Sequence, residues 1–177
     1  MDLSRFTERS QQALSSAQTL AARLSHQQVD AEHLFLALLE QENGLCSTIL
    51  LKAGLNLETV HRRLMSELEK LPKVTTSGSG MYLTQRLAAV VANAEQEARK
   101  LKDDFVSVEH LLLALFESQG TSRQILTEAG LNRARLDQAV RDVRGSQRVT
   151  TQNPENTYQA LENYGRDLTA EASKGKL

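Results

Sequence analysis

The stretch Val29-Asp30-Ala31-Glu32-His33-Leu34-Phe35-Leu36-Ala37-Leu38-Leu39-Glu40 returns 77 positions later as Val106-Ser107-Val108-Glu109-His110-Leu111-Leu112-Leu113-Ala114-Leu115-Phe116-Glu117. Positions 34–39 and 111–116 are apolar throughout, as in a helix buried on all sides. Each copy opens on a capping oxygen, Asp30 or Ser107, with an acidic side chain two places on, near the positive end of the helix. A duplicated, buried helix therefore lies at the centre of each half.

The duplication extends outward in both directions. Upstream, Phe6-Thr7-Glu8-Arg9 matches Leu83-Thr84-Gln85-Arg86, and Leu24 matches Leu101, at the same shift. Downstream, Lys52-Ala53-Gly54-Leu55-Asn56 matches Glu128-Ala129-Gly130-Leu131-Asn132 at a shift of 76, so one residue has been lost between the two halves of the repeat. Four helices are expected per copy. The first carries a mostly apolar stripe through Phe6, Ser10, Ala13, Ala17, Leu20 and Leu24, or through Leu83, Leu87, Val91, Ala94, Ala98 and Leu101, at three- and four-residue spacing. The third stops at Gly54 or Gly130, where a left-handed backbone is tolerated. Asn56 and Asn132 are expected to cap the fourth.

About 70 residues is near the lower limit for a stable core, whereas a pair of roughly 145 can bury about 68–70% of its unfolded surface. The expected fold is all-α: a pseudo-twofold, duplicated four-helix repeat of eight helices, followed by a linker and an extra helix. The boundaries read as 1–71 for the first repeat, 72–82 for a flexible connector and 83–145 for the second repeat. A linker over 146–156 and a helical lead-in over 157–177 follow. The connector Lys73-Val74-Thr75-Thr76-Ser77-Gly78-Ser79-Gly80 has a flexible composition, so its tip is expected to be mobile. The tail stripe Tyr158, Leu161, Tyr164 and Leu168 finds no partner in sequence, so it either opens a following domain or folds back on the repeats.

The composition excludes several functions. With 21 Lys and Arg against 22 Asp and Glu, the net charge of -1 supplies no bulk attraction to nucleic acid or anionic lipid. The longest apolar run falls far short of the roughly 20 residues needed to cross a bilayer. The start of the chain has no secretory pattern. The lone Cys46 suits a reducing compartment, and we expect the cytoplasm.

Candidate chemistry is sparse. Glu32-His33 and Glu109-His110 are helix neighbours about 100° apart, whereas helical zinc sites place histidines at i and i+4, so packed histidines are expected and no metal. His26 and His61 read as isolated surface residues. Cys46 is matched by Ser122, which points to a packing role and not to a nucleophile. Gly175-Lys176 is followed by Leu177 and has no glycine five places earlier, so no phosphate loop is present. The chain is expected to be non-catalytic and to hold no cofactor.

Phe6-Thr7-Glu8, the doubled Glu-His ahead of a Leu-rich helix, the Ala-Gly-Leu stops, Leu71-Pro72-Lys73-Val74 and the tail Tyr164-Gly165-Arg166-Asp167-Leu168-Thr169 resemble the amino-terminal domains of the ClpB family of ring-forming AAA+ protein disaggregases. The resemblance covers essentially the whole chain, and the tail motif favours ClpB over protease-coupled relatives. It implies a substrate-recruiting module that binds exposed apolar segments of unfolded or aggregated client proteins at the seam between the repeats. It also implies a homohexameric ATPase parent that works with the DnaK chaperone system through other parts, with ATP and magnesium held in modules outside this chain. The isolated chain would be a monomer, with no nucleic-acid or membrane partner.

By the same resemblance, substrate would contact Thr7, Val91, Asp103 and Glu109. Each also has a local reading: Thr7 as a helix cap, Val91 as core, Asp103 at a helix end, and Glu109 as a dipole partner. Asn93, Glu97 and His110 place polar groups where apolar ones would strengthen capture, so weak, transient binding is expected. The alternative is an adaptor-docking domain of a protease-coupled Clp unfoldase, and a purely structural cap on the ring is a third possibility.

Overall fold

The computed structural model describes residues 2–74, 81–155 and Tyr158. Eight α-helices are formed among them: α1 Glu8–Arg23, α2 Ala31–Glu40, α3 Leu45–Lys52, α4 Leu57–Glu69, α5 Gln85–Lys100, α6 Val108–Glu117, α7 Thr121–Glu128 and α8 Arg133–Arg144. The expected tip of the connector, and the helix expected over 157–177 apart from Tyr158, lie outside the described residues.

Local chemistry sets the helix ends. Thr7 and Thr84 cap α1 and α5 by accepting from the N–H groups of Ser10 and Leu87. Asn56 and Asn132 accept from Thr59 and Arg135 at the starts of α4 and α8. Gly54 and Gly130 follow α3 and α7 with φ of +87° and +103°, a region where a Cβ is disfavoured. Replacing Asn132 by alanine is expected to lower stability by about 1 kcal/mol, with serine recovering most of it, as measured by urea unfolding.

The missing residue falls between the second and third helices of the repeat. Gln41 to Gly44 joins α2 to α3, and the shorter Ser118 to Gly120 joins α6 to α7. Gly44 holds an ordinary φ of -72° ahead of α3, whereas Gly120 takes +150° ahead of α7. The shorter link thus closes through a conformation available mainly to glycine.

Packing joins the repeats rather than stacking them. α1 lies on α2 and α5 on α6, while the third helix of each repeat packs on the fourth helix of the other, α3 on α8 and α7 on α4. α2 and α6 meet across the pseudo-twofold axis. Leu34, Phe35, Leu36 and Leu38, with their counterparts Leu111, Leu112, Leu113 and Leu115, are at most 2% exposed. Each such side chain contributes about 1.5–3 kcal/mol by leaving water.

Two short extended segments also cross between the repeats. β1 (Gln28–Val29) pairs in parallel with β2 (Tyr82–Leu83), and Phe6 forms the matching bridge to Val106. The chain entering the first helix of each repeat is therefore hydrogen-bonded to the chain entering the second helix of the other: Thr7 N–H donates to Val106 O at 2.9 Å and Thr84 N–H to Val29 O at 3.0 Å. No single helix among the described residues is long and apolar enough to cross a membrane.

Candidate functional site

The seam between the starts of α1 and α6 holds a buried polar cluster built around Arg144, the last residue of α8. Its guanidinium donates to both carboxylate oxygens of Asp103, at 2.9 and 2.8 Å, and to Glu109 Oε1 at 3.2 Å. Asp103 also accepts from His110 Nε2 at 2.7 Å and from Val149 N–H at 2.9 Å. Burial raises the cost of the Asp103 charge, but the hydrogen bonds from His110, Arg144 and Val149 outweigh it and hold its carboxyl well below the usual range. Desolvation disfavours the Arg144 cation too, yet its Asp103 and Glu109 partners keep it more firmly protonated than a free arginine.

The chain after α8 was expected to be a linker; its described part instead lies across this seam as a strap. Glu8 N–H donates to Gln152 O at 2.9 Å and Asp104 N–H to Val149 O at 2.8 Å. Val149 is fully buried, and the Arg144 guanidinium stands 5.9 Å from the centre of the buried Tyr158 ring. Further along the strap, Glu155 Oε1 accepts from Thr7 Oγ1 at 2.6 Å and from Val108 N–H at 3.2 Å.

The duplication explains why Glu155 sits there. In the first repeat Asp30 Oδ1 accepts from Thr84 Oγ1 at 2.9 Å and from Ala31 N–H at 2.7 Å. Ser107 replaces that aspartate in the second repeat and brings no carboxylate. Glu155 reaches in from the strap and makes the two equivalent bonds, to Thr7 and Val108. Burial and the neighbouring Glu109 carboxyl raise its pKa to about 7.

Of the four residues expected to contact substrate, Thr7, Asp103 and Glu109 are brought together here. All three lie beneath the strap, at 0%, 7% and 0% exposure. Val91, 4% exposed, belongs to the buried stripe of α5. None of the four offers an open surface while the strap is docked, because each is spent on internal bonds or packing. Asn93 is exposed, whereas Glu97 is buried against Arg133 at 2.8 Å. His26, read from sequence as a surface residue, is 4% exposed; it is turned inward onto His33 at 2.8 Å. His61 lies on the surface, 3.4 Å from Glu40.

Sequence reasoning missed Arg144, Glu155 and Val149. Arg144 stands four residues after Val140 on the α8 stripe, where a charge demands a buried partner, and the exchange of Asp30 for Ser107 marks a missing carboxylate. Those two signals were available. The buried Cys46 thiol is pushed up to about 12 by loss of solvent, which keeps it protonated at neutral pH. His33 and His110 sit at the third position of their helices, where Nδ1 accepts from the capping residue's N–H at 3.0 and 2.8 Å. They are therefore spent on helix ends.

The fold is that of a duplicated helical module whose seam is closed by its own chain. The chain belongs to the Clp repeat (R) N-terminal domain family, whose model matches residues 5–129. It is 46% identical over 180 residues to the chaperone protein ClpB of Bacillus cereus and 47% identical over 182 residues to that of Nitratidesulfovibrio vulgaris. All of this chain is covered in both matches, and it spans about a fifth of each relative, 21%. Among solved structures, the Hsp104 N-terminal domain from Candida albicans matches with a TM-score of 0.74 and 24% identity, covering 85% of this chain and 98% of that one. A ClpV N-domain in complex with a VipB peptide matches with a TM-score of 0.64 and 19% identity, covering 80% and 90%. These last two likenesses show the shared fold.

Proposed function

We propose that the chain is the substrate-recruiting, non-catalytic domain of a ClpB-type chaperone and that its seam takes up extended polypeptide when the strap leaves. The observation that carries this reading is the strap itself. Backbone N–H groups of Glu8 and Asp104 hold its carbonyls, Asp103 holds the Val149 N–H, and the Val149 side chain is wholly removed from water. A surface that grips main chain and buries an aliphatic side chain suits clients of many sequences, because the main chain is common to them all. The peptide complex of the similarly folded ClpV N-domain supports the same class of ligand.

Affinity measured on the intact chain is lowered by the fraction of time the strap is docked. Weak capture suffices for a domain tethered to a ring, since tethering raises the local concentration of client. A homohexameric ATPase parent, cytoplasmic disaggregation with the DnaK system, and ATP and magnesium in other modules belong to this proposal through the similarity to ClpB.

The test titrates the 177-residue chain with a reduced, carboxymethylated protein that cannot fold and with the same protein in its native form. Binding to the unfolded form alone is expected. Glu155→Lys places a cation against the starts of α1 and α6, which disfavours docking, and is expected to tighten binding roughly tenfold. Equal binding to both forms, or none to either, overturns the reading. An adaptor-docking role would instead show as binding to one folded partner and indifference to unfolded chains.

A further inference from the structure

The two repeats differ at a buried position in a way that leaves one hydrogen-bond donor unused. In the second repeat Ser107 N–H donates to His110 Nδ1 at 2.8 Å, so His110 carries its hydrogen on Nε2 and donates it to Asp103. In the first repeat Asp30 N–H donates to His33 Nδ1 at 3.0 Å, so His33 Nε2–H donates to His26 Nδ1 at 2.8 Å. His26 stands 77 positions before Asp103 and takes its place. A neutral imidazole bears one N–H, so that of His26 is on Nε2. Burial draws both rings below the ordinary imidazole range, His33 to about 4, which keeps them neutral at pH 7. The His26 Nε2 atom is shut off from solvent and has no partner among the described residues, although such donors are rarely left unpaired.

His26 and His33 line a cleft of about 200 Å³ whose other walls include Leu71, Pro72, Val74 and Tyr82. Val74 and Tyr82 are 37% and 51% exposed, so the apolar rim is open to water. In the second repeat the corresponding corner is filled by the strap: Val149 is wholly buried, donates to Asp103 and accepts from Asp104 N–H. The first repeat has the same corner with the polarity of its central group reversed, a donor where the second repeat has an acceptor.

We propose that this cleft is a second polypeptide-binding site, which takes one aliphatic residue of an extended chain, with His26 Nε2–H, sealed in the empty cleft, uncovered as the chain enters and donating to its backbone carbonyl. The volume is of the order of one residue with its peptide group and below the roughly 300–1,000 Å³ of small-molecule pockets. Leu71, Pro72 and Val74 suit an aliphatic side chain. The Asp30 carboxylate on the wall disfavours an anion and leaves a neutral carbonyl as the matching acceptor. The site lies beyond the end of α1, whereas the strap crosses the start of that helix, so it does not depend on the strap leaving the seam.

The probe is the capped peptide acetyl-Thr-Val-Thr-Val-Thr-amide, titrated into the isotope-labelled 177-residue chain and followed by NMR, with acetyl-Gly-Ser-Gly-Ser-Gly-amide as control. The expected result is saturable shifts at Gln28, Val74 and Tyr82 and at the His26 Hε2 resonance for the valine peptide alone. His26→Asn keeps an acceptor for His33 and a donor toward the cleft, so binding is retained. His26→Asp also accepts from His33, as Asp103 does from His110, but presents a carboxylate to the carbonyl and is expected to weaken binding about tenfold or more. Thermal melts establish that each variant is folded. A His26 hydrogen on Nδ1, absence of shifts in the folded wild type, or equal binding by the Asn and Asp variants overturns the proposal. Glu155→Lys is expected to leave this binding unchanged, which separates its failure from failure of the seam reading.

Discussion

Replacing Arg144 by methionine is expected to lower the stability of the chain by about 3–5 kcal/mol, the range found when one partner of a buried ion pair is removed. Methionine preserves most of the length and apolar stem, so the loss is electrostatic. Asp103 and Glu109, at 7% and 0% exposure, would be left beneath the strap without their shared cation. For a body of this size the midpoint of thermal unfolding should fall by roughly 10 °C. Changing the acids as well, with Asp103→Asn and Glu109→Gln, should recover much of the loss, because the uncompensated charge goes with them. Urea unfolding of the single and triple variants measures both; a single variant within about 1 kcal/mol of wild type would show that the cluster does not hold the seam. Tyr158 should loosen too, since its ring packs under the same guanidinium.

Docking of the strap should weaken as pH rises from about 4.5 to beyond about 7. The sign follows from Glu155, whose pKa is raised from 4.5 to about 7, first by burial and then by the Glu109 carboxyl. The docked state thus holds a proton that the free strap gives up. Its contribution is fully present below about 4.5 and is lost as pH climbs through about 7, at a cost of about 3 kcal/mol. The groups facing Glu155 are the Thr7 hydroxyl and the Val108 N–H, which favour its ionised form, the Glu109 carboxyl, which opposes it, and Tyr158. Asp103 works in the opposite direction but only in acid, since its depressed carboxyl loses its contribution as pH falls below the ordinary carboxylate range.

Hydrogen exchange at the Glu8 and Val108 amides, which bond to Gln152 O and Glu155 Oε1, reports the equilibrium directly. Protection should fall between pH 5 and 8 in the wild type after correction for intrinsic exchange. Glu155→Gln keeps an acceptor for both donors without the charge, so protection in that variant should be flat across the range and higher than wild type at pH 8. An identical pH profile in the two proteins would remove Glu155 as the titrating group.

If the seam receives clients, the two effects combine. The strap would yield most readily near neutral pH and above, where Glu155 ionises, and client affinity should rise over the same interval. Surface ion pairs such as Arg62 with Glu58 contribute little to this behaviour, being exposed and screened.

The eight helices, their caps and glycine stops, and the fusion of two copies were legible in the residues. The helices and their ends rest on interactions within a few positions of the chain: a 3.6-residue stripe, an Asn or Thr oxygen reaching an N–H three places on, a glycine where φ turns positive; the fusion followed from the repeat and from the small size of one copy. The duplication also placed His33 and His110 correctly at helix starts. What escaped was pairing over long separations. Thr7 meets Glu155 across 148 positions and Asp103 meets Arg144 across 41, and no periodicity encodes which buried charge will find which. His26 looked like a surface residue because nothing in its immediate neighbours is apolar; only the folding of α2 against α1 turns it inward onto His33. Local sequence therefore determined the helices and their duplication, since those forces act through neighbouring backbone. The tertiary structure alone decided that the seam closes over its own chain, because a buried carboxylate is stable only where distant donors converge on it.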